Sequence, residues 1–206
     1  MDEIQLKGAR KSTIIEANSL LYVRPLYTAV GNLHSSIALY RTLGNGCAFL
    51  FERIKMQDDS YYMTLAFKEA KLAAAEDEVP VGAVLVSADG EVLTATHNTS
   101  EHGLHAMAHA ETVAMSIGAI TLEQKRLWDC TLYVTLEPCT MCAAALSMMR
   151  IKRLVYGAPN PKGGAVENGV KFFESPACNH KPEIVSGVMA EECGALLSAF
   201  FKKKRV

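Results

Sequence analysis

The spacing of hydrophobic positions predicts ordered elements from about residue 60 onward. Apolar residues recur at helical intervals over 63–74 and predict an amphipathic helix with Ser60 as its N-cap. The apolar run at 81–86 is typical of a buried strand, and the turn at 88–90 predicts a hairpin with the strand that follows. Farther along, the pattern predicts helices at 109–117, 139–149 and 190–201, and strands at 131–136, 153–156 and 183–186.

Strands that alternate with helices in this way indicate a three-layer α/β domain. Gly118 is expected to close the helix at 109–117, because glycine is favoured directly after a helix. The chain shows no internal repeat.

Residues 1–59 give a much weaker signal, since no hydrophobic period persists there and only Gly44-Asn45-Gly46 indicates a turn. We therefore divide the chain into an N-terminal extension, 1–59, and one domain, 60–206. The extension is either a small accessory element or a stretch before the natural start, for which Met56 and Met63 are both plausible.

Composition favours a folded cytoplasmic protein that does not enter a membrane. Half of the 206 residues are hydrophobic and the net charge is −1, which argues against disorder. No apolar run approaches the roughly 18–20 residues that span a bilayer. Met1-Asp2-Glu3 is acidic where a secretory signal would be basic. In the cytoplasm the six cysteines are expected to be metal ligands or free thiols rather than disulfides.

The small net charge hides an asymmetry along the chain. Residues 60–137 carry four basic and eleven acidic side chains, whereas 138–206 carry ten basic and five acidic ones. The last of the basic residues form the tail Lys202-Lys203-Lys204-Arg205. A basic third suits a polyanion-binding surface, but a solvated helix end with cations that complement the helix dipole gives the same pattern.

Two motifs carry candidate chemistry, His109-Ala110-Glu111 and Pro138-Cys139-Thr140-Met141-Cys142, and each begins a predicted helix. Cys139 and Cys142 are three residues apart and share one helical face, and a helix N-terminus lowers the pKa of a thiol. His109 adds a neutral nitrogen. Three ligands leave a fourth tetrahedral position for water, which predicts a catalytic zinc site with one ion per chain.

Glu111 separates a catalytic site from a structural one. Residues two apart do not share a helical face, so Glu111 is not expected to bind the same ion as His109. Near the helix start it can instead move a proton between water, a ring nitrogen and a leaving amine. An H-x-E motif followed by P-C-x-x-C is the signature of base-modifying deaminases. We expect the other histidines of this region and the other cysteines to lie outside the metal site: His97, His102, His105, Cys47, Cys130, Cys178 and Cys193.

Over about residues 60–206 the sequence resembles the tRNA-specific adenosine deaminases of the TadA type, within the cytidine deaminase-like superfamily. The residues that carry the resemblance are the two motifs, Glu78 through Val84, His97-Asn98, Leu132 through Cys142, Val155 through Ala158 and Phe200-Phe201. Residues 104–108 depart from the family pattern, and the stretch 166–177 matches it weakly.

The resemblance implies a three-layer α/β/α cytidine deaminase-like fold with a five-stranded mixed sheet, and a homodimer. It implies zinc held by His109, Cys139 and Cys142, Glu111 as the proton shuttle, and Asn98 as a residue that helps to hold the nucleoside. The reaction it implies is hydrolytic deamination of adenosine to inosine at the first (wobble) anticodon position of tRNA. The basic terminal helix would then meet the anticodon stem-loop.

Two other functions fit the same motifs. A zinc-dependent deaminase of a free base or nucleoside, such as guanine or cytosine, would share the metal site but would not need the basic tail. A zinc-stabilised RNA-binding module would keep the fold without catalysis. Glu111 argues against that module, because mere binding does not require a carboxylate at this position.

Overall fold

The computed structural model describes residues 57–205 and, before them, the backbone of four short strands. The chain divides into two compact units, Met1–Lys55 and Met56–Val206. In the first unit the strands pair antiparallel in sequence order: β1 (Ile15–Ala17), β2 (Leu20–Tyr22), β3 (Leu39–Leu43) and β4 (Gly46–Leu50).

The sequence did not predict these four strands. These strands have three to five residues and no persistent hydrophobic period, so only the turn signal at 44–46 pointed to local structure. That signal falls where Leu43 of β3 pairs with Gly46 of β4. The division of the chain at residue 60 remains a prediction.

The second unit is built on a five-stranded mixed sheet of order β6-β5-β7-β8-β9. Strand β5 pairs antiparallel with β6 and β7, whereas β7, β8 and β9 run parallel. Its elements in chain order are α1 (Asp59–Ala75), β5 (Gly82–Val86), β6 (Val92–His97), α2 (Ala110–Thr121), β7 (Thr131–Leu136), α3 (Thr140–Met149), β8 (Arg153–Ala158), a 3₁₀ helix (Phe172–Glu174), β9 (Glu183–Ser186) and α4 (Ala190–Lys204).

Helices cover both faces of this sheet. Alternate residues along the central strands point to opposite faces, as strand geometry requires. Leu85 and Leu132 join a buried cluster with residues of α2 and α3, whereas Val84 and Tyr133 join a second cluster with residues of α1 and Cys193 of α4. The three-layer α/β/α fold with a five-stranded mixed sheet is thus confirmed. In the part of the chain that the structure describes, every helix is too short or too polar to span a bilayer.

Three predicted helix boundaries are wrong. Helix α4 continues to Lys204 rather than ending at 201, and the other two differ for physical reasons that the structure shows. Helix α1 is capped by Asp58, not Ser60, because the Asp58 carboxylate accepts the Tyr61 N–H at 2.8 Å. Helix α2 continues through Gly118 to Thr121. A Cβ atom at Gly118 would lie 2.1 Å from a methyl group of Leu85, so this glycine allows close helix–sheet packing rather than ending the helix.

Candidate metal centre and active site

The three predicted zinc ligands converge where two helices begin beside the end of β7. His109 occupies the N-cap position of α2, Cys139 that of α3, and Cys142 lies in the first turn of α3. Nδ1 of His109 is 3.7 Å from Sγ of Cys139 and 3.5 Å from Sγ of Cys142. The three ligand atoms all lie within 4.8 Å of one another.

These distances fit one tetrahedral zinc ion. With Zn–S bonds of about 2.3 Å and a Zn–N bond of about 2.05 Å, tetrahedral geometry places a ligand nitrogen about 3.6 Å from each ligand sulfur. The two observed nitrogen–sulfur separations lie on either side of that value. The geometry also assigns Nδ1 as the ligating nitrogen of His109.

The chemistry of the two thiols fits a divalent cation as well. A hydrogen bond from the Cys142 thiol, with a further contribution from His109, lowers the pKa of Cys139 to about 4. That same hydrogen bond, together with burial, raises the pKa of Cys142 far above its usual range. One thiolate is therefore stable through protein contacts alone, and the second requires a cation between the sulfurs.

Glu111 lies beside this triad as the second residue of α2, and its side chain is hydrogen-bonded to Cys142. The residue is only 4% exposed. Burial raises the pKa of its carboxyl group above the ordinary value. A carboxylate held next to the metal ligands, with its affinity for protons increased, is suited to proton transfer.

Asn98 joins the site through the start of α2. It follows β6 directly, and its Oδ1 accepts the N–H of Ala110 at 2.9 Å. Its own backbone N–H donates to the carbonyl of Val81. Among the described residues, Nδ2 of Asn98 has no protein acceptor. The side chain thus caps the helix with its oxygen and keeps two N–H donors for another group.

The comparisons with known proteins agree with this geometry. Residues 56–158 match the family described as "Cytidine and deoxycytidylate deaminase zinc-binding region". The tRNA-specific adenosine deaminase of Agrobacterium fabrum (strain C58) is 48% identical over 151 residues, which cover 73% of this chain and 99% of that protein. This chain belongs to the tRNA-specific adenosine deaminase family.

Other members of the family, and solved structures, support the same assignment. The tRNA-specific adenosine deaminase of Bacillus subtilis (strain 168) is 45% identical over 150 residues, covering 73% of this chain and 92% of that protein. A structure from a study of A-to-I editing by tRNA:A34 deaminases is 49% identical, with a TM-score of 0.65, and covers 66% of this chain and 99% of that one. The guanine deaminase of Nitrosomonas europaea shares the fold at 20% identity and a TM-score of 0.62, covering 70% of this chain and 85% of that one.

The structure also reveals two buried carboxylates near the site whose roles the sequence did not predict. Glu78 is fully buried and accepts the N–H groups of Glu101 and His102, each at 2.8 Å, in the segment before His109. Glu137 accepts several N–H groups of the segment 160–168. Burial would raise the pKa of Glu137, but these hydrogen bonds outweigh it and hold the pKa below its usual range. Both residues lie in stretches that carry the family resemblance, but nothing in the sequence indicated which groups either carboxylate binds.

Among residues 57–205, the histidines other than His109 lie outside the group that could hold a metal. His97 lies between two carboxylates of α1 and its C-cap, 2.8 Å from Glu69 and 3.3 Å from Glu76. Nδ1 of His102 is 3.3 Å from Glu78. Within residues 57–205, His105 belongs to no group that could hold a metal.

The other cysteines have no metal spacing either. Cys130, Cys178 and Cys193 are free thiols, and burial raises the pKa of Cys130 and of Cys193 to about 11. Cys47 lies outside the residues whose side chains the structure describes.

The basic residues of the last third differ in their availability to a polyanion. Arg153 forms ion pairs with Asp59 at 2.7 Å and with Glu183 at 3.1 Å, so its charge is largely used within the fold. Lys204 pairs with Asp77. The other three cations of the tail, Lys202, Lys203 and Arg205, are exposed at the end of α4.

Proposed function

We propose that this chain hydrolyses adenosine to inosine at the first anticodon position of a tRNA. The observation that carries the proposal is the triad of His109, Cys139 and Cys142 with a buried carboxylate, Glu111, beside it. Two relatives that match most of their length are named tRNA-specific adenosine deaminases. A similar solved structure comes from work on tRNA:A34 deaminases at the wobble position.

The metal and the carboxylate divide the chemistry between them. His109, Cys139 and Cys142 would hold zinc, which would supply a Lewis acid able to activate water at neutral pH. Glu111 would take one proton from the attacking water and give it to a ring nitrogen of adenine, where it stays in inosine. It would then carry the second proton of that water, from the new hydroxyl group on C6, to the amino group, which leaves as ammonia. Its raised pKa suits this role, because a carboxylate with an ordinary pKa is a weaker base and takes a proton less readily at neutral pH.

Asn98 orients the nucleoside in this proposal. Its oxygen is engaged by the N–H of Ala110, so only the Nδ2 donors are available to the substrate. A donor in a buried position discriminates strongly, because a substrate without a matching acceptor leaves that donor unpaired.

The end of α4 supplies the RNA contact. An anticodon loop presents unstacked bases that can be splayed into a pocket, while its phosphates require cations. Lys202, Lys203 and Arg205 are exposed there, and Lys204 neutralises Asp77. A deaminase of free bases would not need this tail, which favours RNA over that alternative.

A homodimer is the second part of the proposal, and the exposed apolar residues of two adjacent helices support it. Ile120 of α2 is 77% exposed and Met148 of α3 is 76% exposed. Ile117 adds a further exposed apolar side chain on α2. Light scattering of the full chain should give twice the monomer mass. A monomeric mass would refute the homodimer but not the proposed reaction.

The cytoplasmic location remains a prediction.

The decisive experiment is single-turnover deamination of tRNA transcripts that differ only at the first anticodon position. A transcript with adenosine there should yield inosine on nucleoside analysis, and its guanosine counterpart should yield none. Adenosine, guanine, cytosine and cytidine as free compounds form the comparison arm. Ammonia release from these compounds, without inosine in the tRNA, would favour the base or nucleoside deaminase instead.

A further inference from the structure

Glu137 is a buried carboxylate that the proposed chemistry does not use. It follows β7 directly and is 1% exposed. Five donors of the segment 160–168, which we call the 160–168 loop, surround it at 2.6–3.1 Å: the N–H groups of Asn160, Val166, Glu167 and Asn168, and the side-chain amide of Asn168. Among the described residues no lysine or arginine pairs with it. Its charge is therefore balanced by amide dipoles alone.

The 160–168 loop is also attached to the metal ligand Cys139. The N–H of Ala165 donates to the carbonyl of Pro138 at 2.9 Å, and Cys139 and Gly164 form an isolated antiparallel bridge. A Cβ atom at Gly164 would lie 2.4 Å from Oε2 of Glu137, so the carboxylate occupies space that only glycine leaves free. The Glu137 carboxylate, the 160–168 loop and the metal ligand Cys139 are thus packed closely against one another.

The tip of the 160–168 loop carries an exposed cation close to the metal ligand. Asn160 closes the tip, because its Oδ1 accepts the N–H of Gly163 at 3.0 Å and its carbonyl accepts the N–H of Gly164 at 2.8 Å. Lys162 lies exposed within this turn, two residues before the residue that pairs with Cys139. A cation on a turn that is anchored to a metal ligand in this way is suited to a phosphate that flanks the target nucleoside.

We propose that Glu137 is a positioning residue that acts through the 160–168 loop to hold Lys162 against a phosphate of the RNA. The RNA-binding part of this inference rests on the proposed function, whereas the ordering of the loop by Glu137 does not. Glu137 itself touches neither substrate nor metal in this scheme.

A simple charge effect and a loss of loop positioning predict opposite changes in tRNA binding for Glu137→Gln. Removing an anion from a protein that binds a polyanion should strengthen binding by simple electrostatics. Loss of loop positioning should weaken it instead. We expect KM for tRNA to rise about tenfold, equivalent to losing one charge-assisted hydrogen bond, while kcat changes by less than about threefold. The matched control is Glu174→Gln, an exposed carboxylate of the 3₁₀ helix, for which KM should stay constant or fall.

A double-mutant cycle connects the carboxylate to the cation. Lys162→Ala and Glu137→Gln should each reduce the log–log salt slope of tRNA binding by roughly 0.7–0.9, the share of one phosphate contact. The double variant should bind no more weakly than the weaker single variant, because both remove the same contact. Additive losses, a normal KM for Lys162→Ala, or tighter binding by Glu137→Gln would overturn the proposal.

Hydrogen exchange on the full chain tests the ordering of the loop without any RNA. Amides of the 160–168 loop should exchange faster in Glu137→Gln, those of β7 should keep their rates, and metal analysis should still find one zinc per chain. Unchanged protection of the loop would refute the positioning role even if tRNA deamination is confirmed. If the wild-type chain makes no inosine, the proposed function fails, and faster exchange in the variant would still support the ordering role.

Discussion

Glu111 and Glu137 are two buried carboxylates, each two residues from a metal ligand in the sequence, and their surroundings give them opposite properties. Glu111 has hydrogen bonds from its own backbone N–H and from Cys142, but burial outweighs them and raises its pKa, which suits the proton transfer proposed for it. Glu137 is surrounded by amide N–H groups, which hold its pKa low in spite of burial. Burial of a carboxylate therefore does not indicate its role. The number of donors around it separates a group that moves protons from a fixed anion that orders a loop.

Glu111→Ala sharpens this comparison most and should have the largest effect. We expect single-turnover deamination to fall by at least about 10²–10⁴-fold, because one group serves several proton transfers. Zinc content and the unfolding transition should stay close to those of the wild type. Cys142→Ser is the contrast, since it should lose zinc as well as activity. A near-normal rate with Glu111→Ala would refute its role as proton shuttle, and full zinc in Cys142→Ser would remove Cys142 from the ligand set.

Gly164→Ala tests how closely the 160–168 loop packs against the Glu137 carboxylate. The added methyl group would collide with the Glu137 carboxylate, so we expect a loss of about 1–3 kcal/mol in the free energy of unfolding. Gly163→Ala is the matched control, because its Cβ atom would meet only the Asn160 side-chain amide, at 3.3 Å. Equal stabilities of the two variants, measured by urea denaturation, would contradict the close packing of Gly164 against Glu137.

Replacement of Lys202, Lys203, Lys204 and Arg205 with alanine tests the tail. The log–log salt slope of tRNA binding should fall by roughly 0.7–0.9 for each phosphate contact that is lost. Because Lys204 is paired with Asp77, we expect the tail to account for about three such contacts rather than four. A slope equal to that of the wild type would mean that the tail is only a solvated helix end.

The cap of α1 gives a smaller effect. Asp58→Ala should cost about 1 kcal/mol of stability, because the N–H of Tyr61 loses its acceptor. Ser60→Ala, at the residue that the sequence favoured, should change stability by less than half of that. Thermal unfolding of the two variants measures both losses of stability. A larger loss for Ser60→Ala than for Asp58→Ala would show that Ser60 is the N-cap.

Removal of residues 1–55 should have the smallest effect on catalysis. The metal ligands, Glu111, Asn98 and the basic tail all lie in the unit Met56–Val206. A chain that begins at Met56 should deaminate at a rate close to that of the full chain. Insolubility of the shorter chain, or much weaker tRNA binding, would show that the first unit contributes to the fold or to the RNA surface.

The sequence predicted features whose signal is local. Strand β7 and strand β9 have the predicted bounds, because each is an uninterrupted run with clear ends. The metal ligands were identified because zinc chemistry imposes fixed spacings on His109, Cys139 and Cys142.

Features that depend on contacts between residues far apart in the chain were not predicted from the sequence. The donors around Glu137 come from residues 23 to 31 positions later, and no local pattern records them. Gly118 shows the same limit, since its role depends on Leu85 in a strand far earlier in the chain.

The cap positions of α2 and α3 have an evolutionary consequence. His109 and Cys139 occupy places where helices prefer serine, threonine, aspartate or asparagine, and neither side chain makes a capping hydrogen bond. Helix α2 obtains its cap from Asn98 instead, the residue that directly follows strand β6. Sequence drift at position 98 is thus limited by helix stability as well as by the nucleoside contact proposed for this residue. A change in substrate preference at this position would first need a second residue to take over the cap.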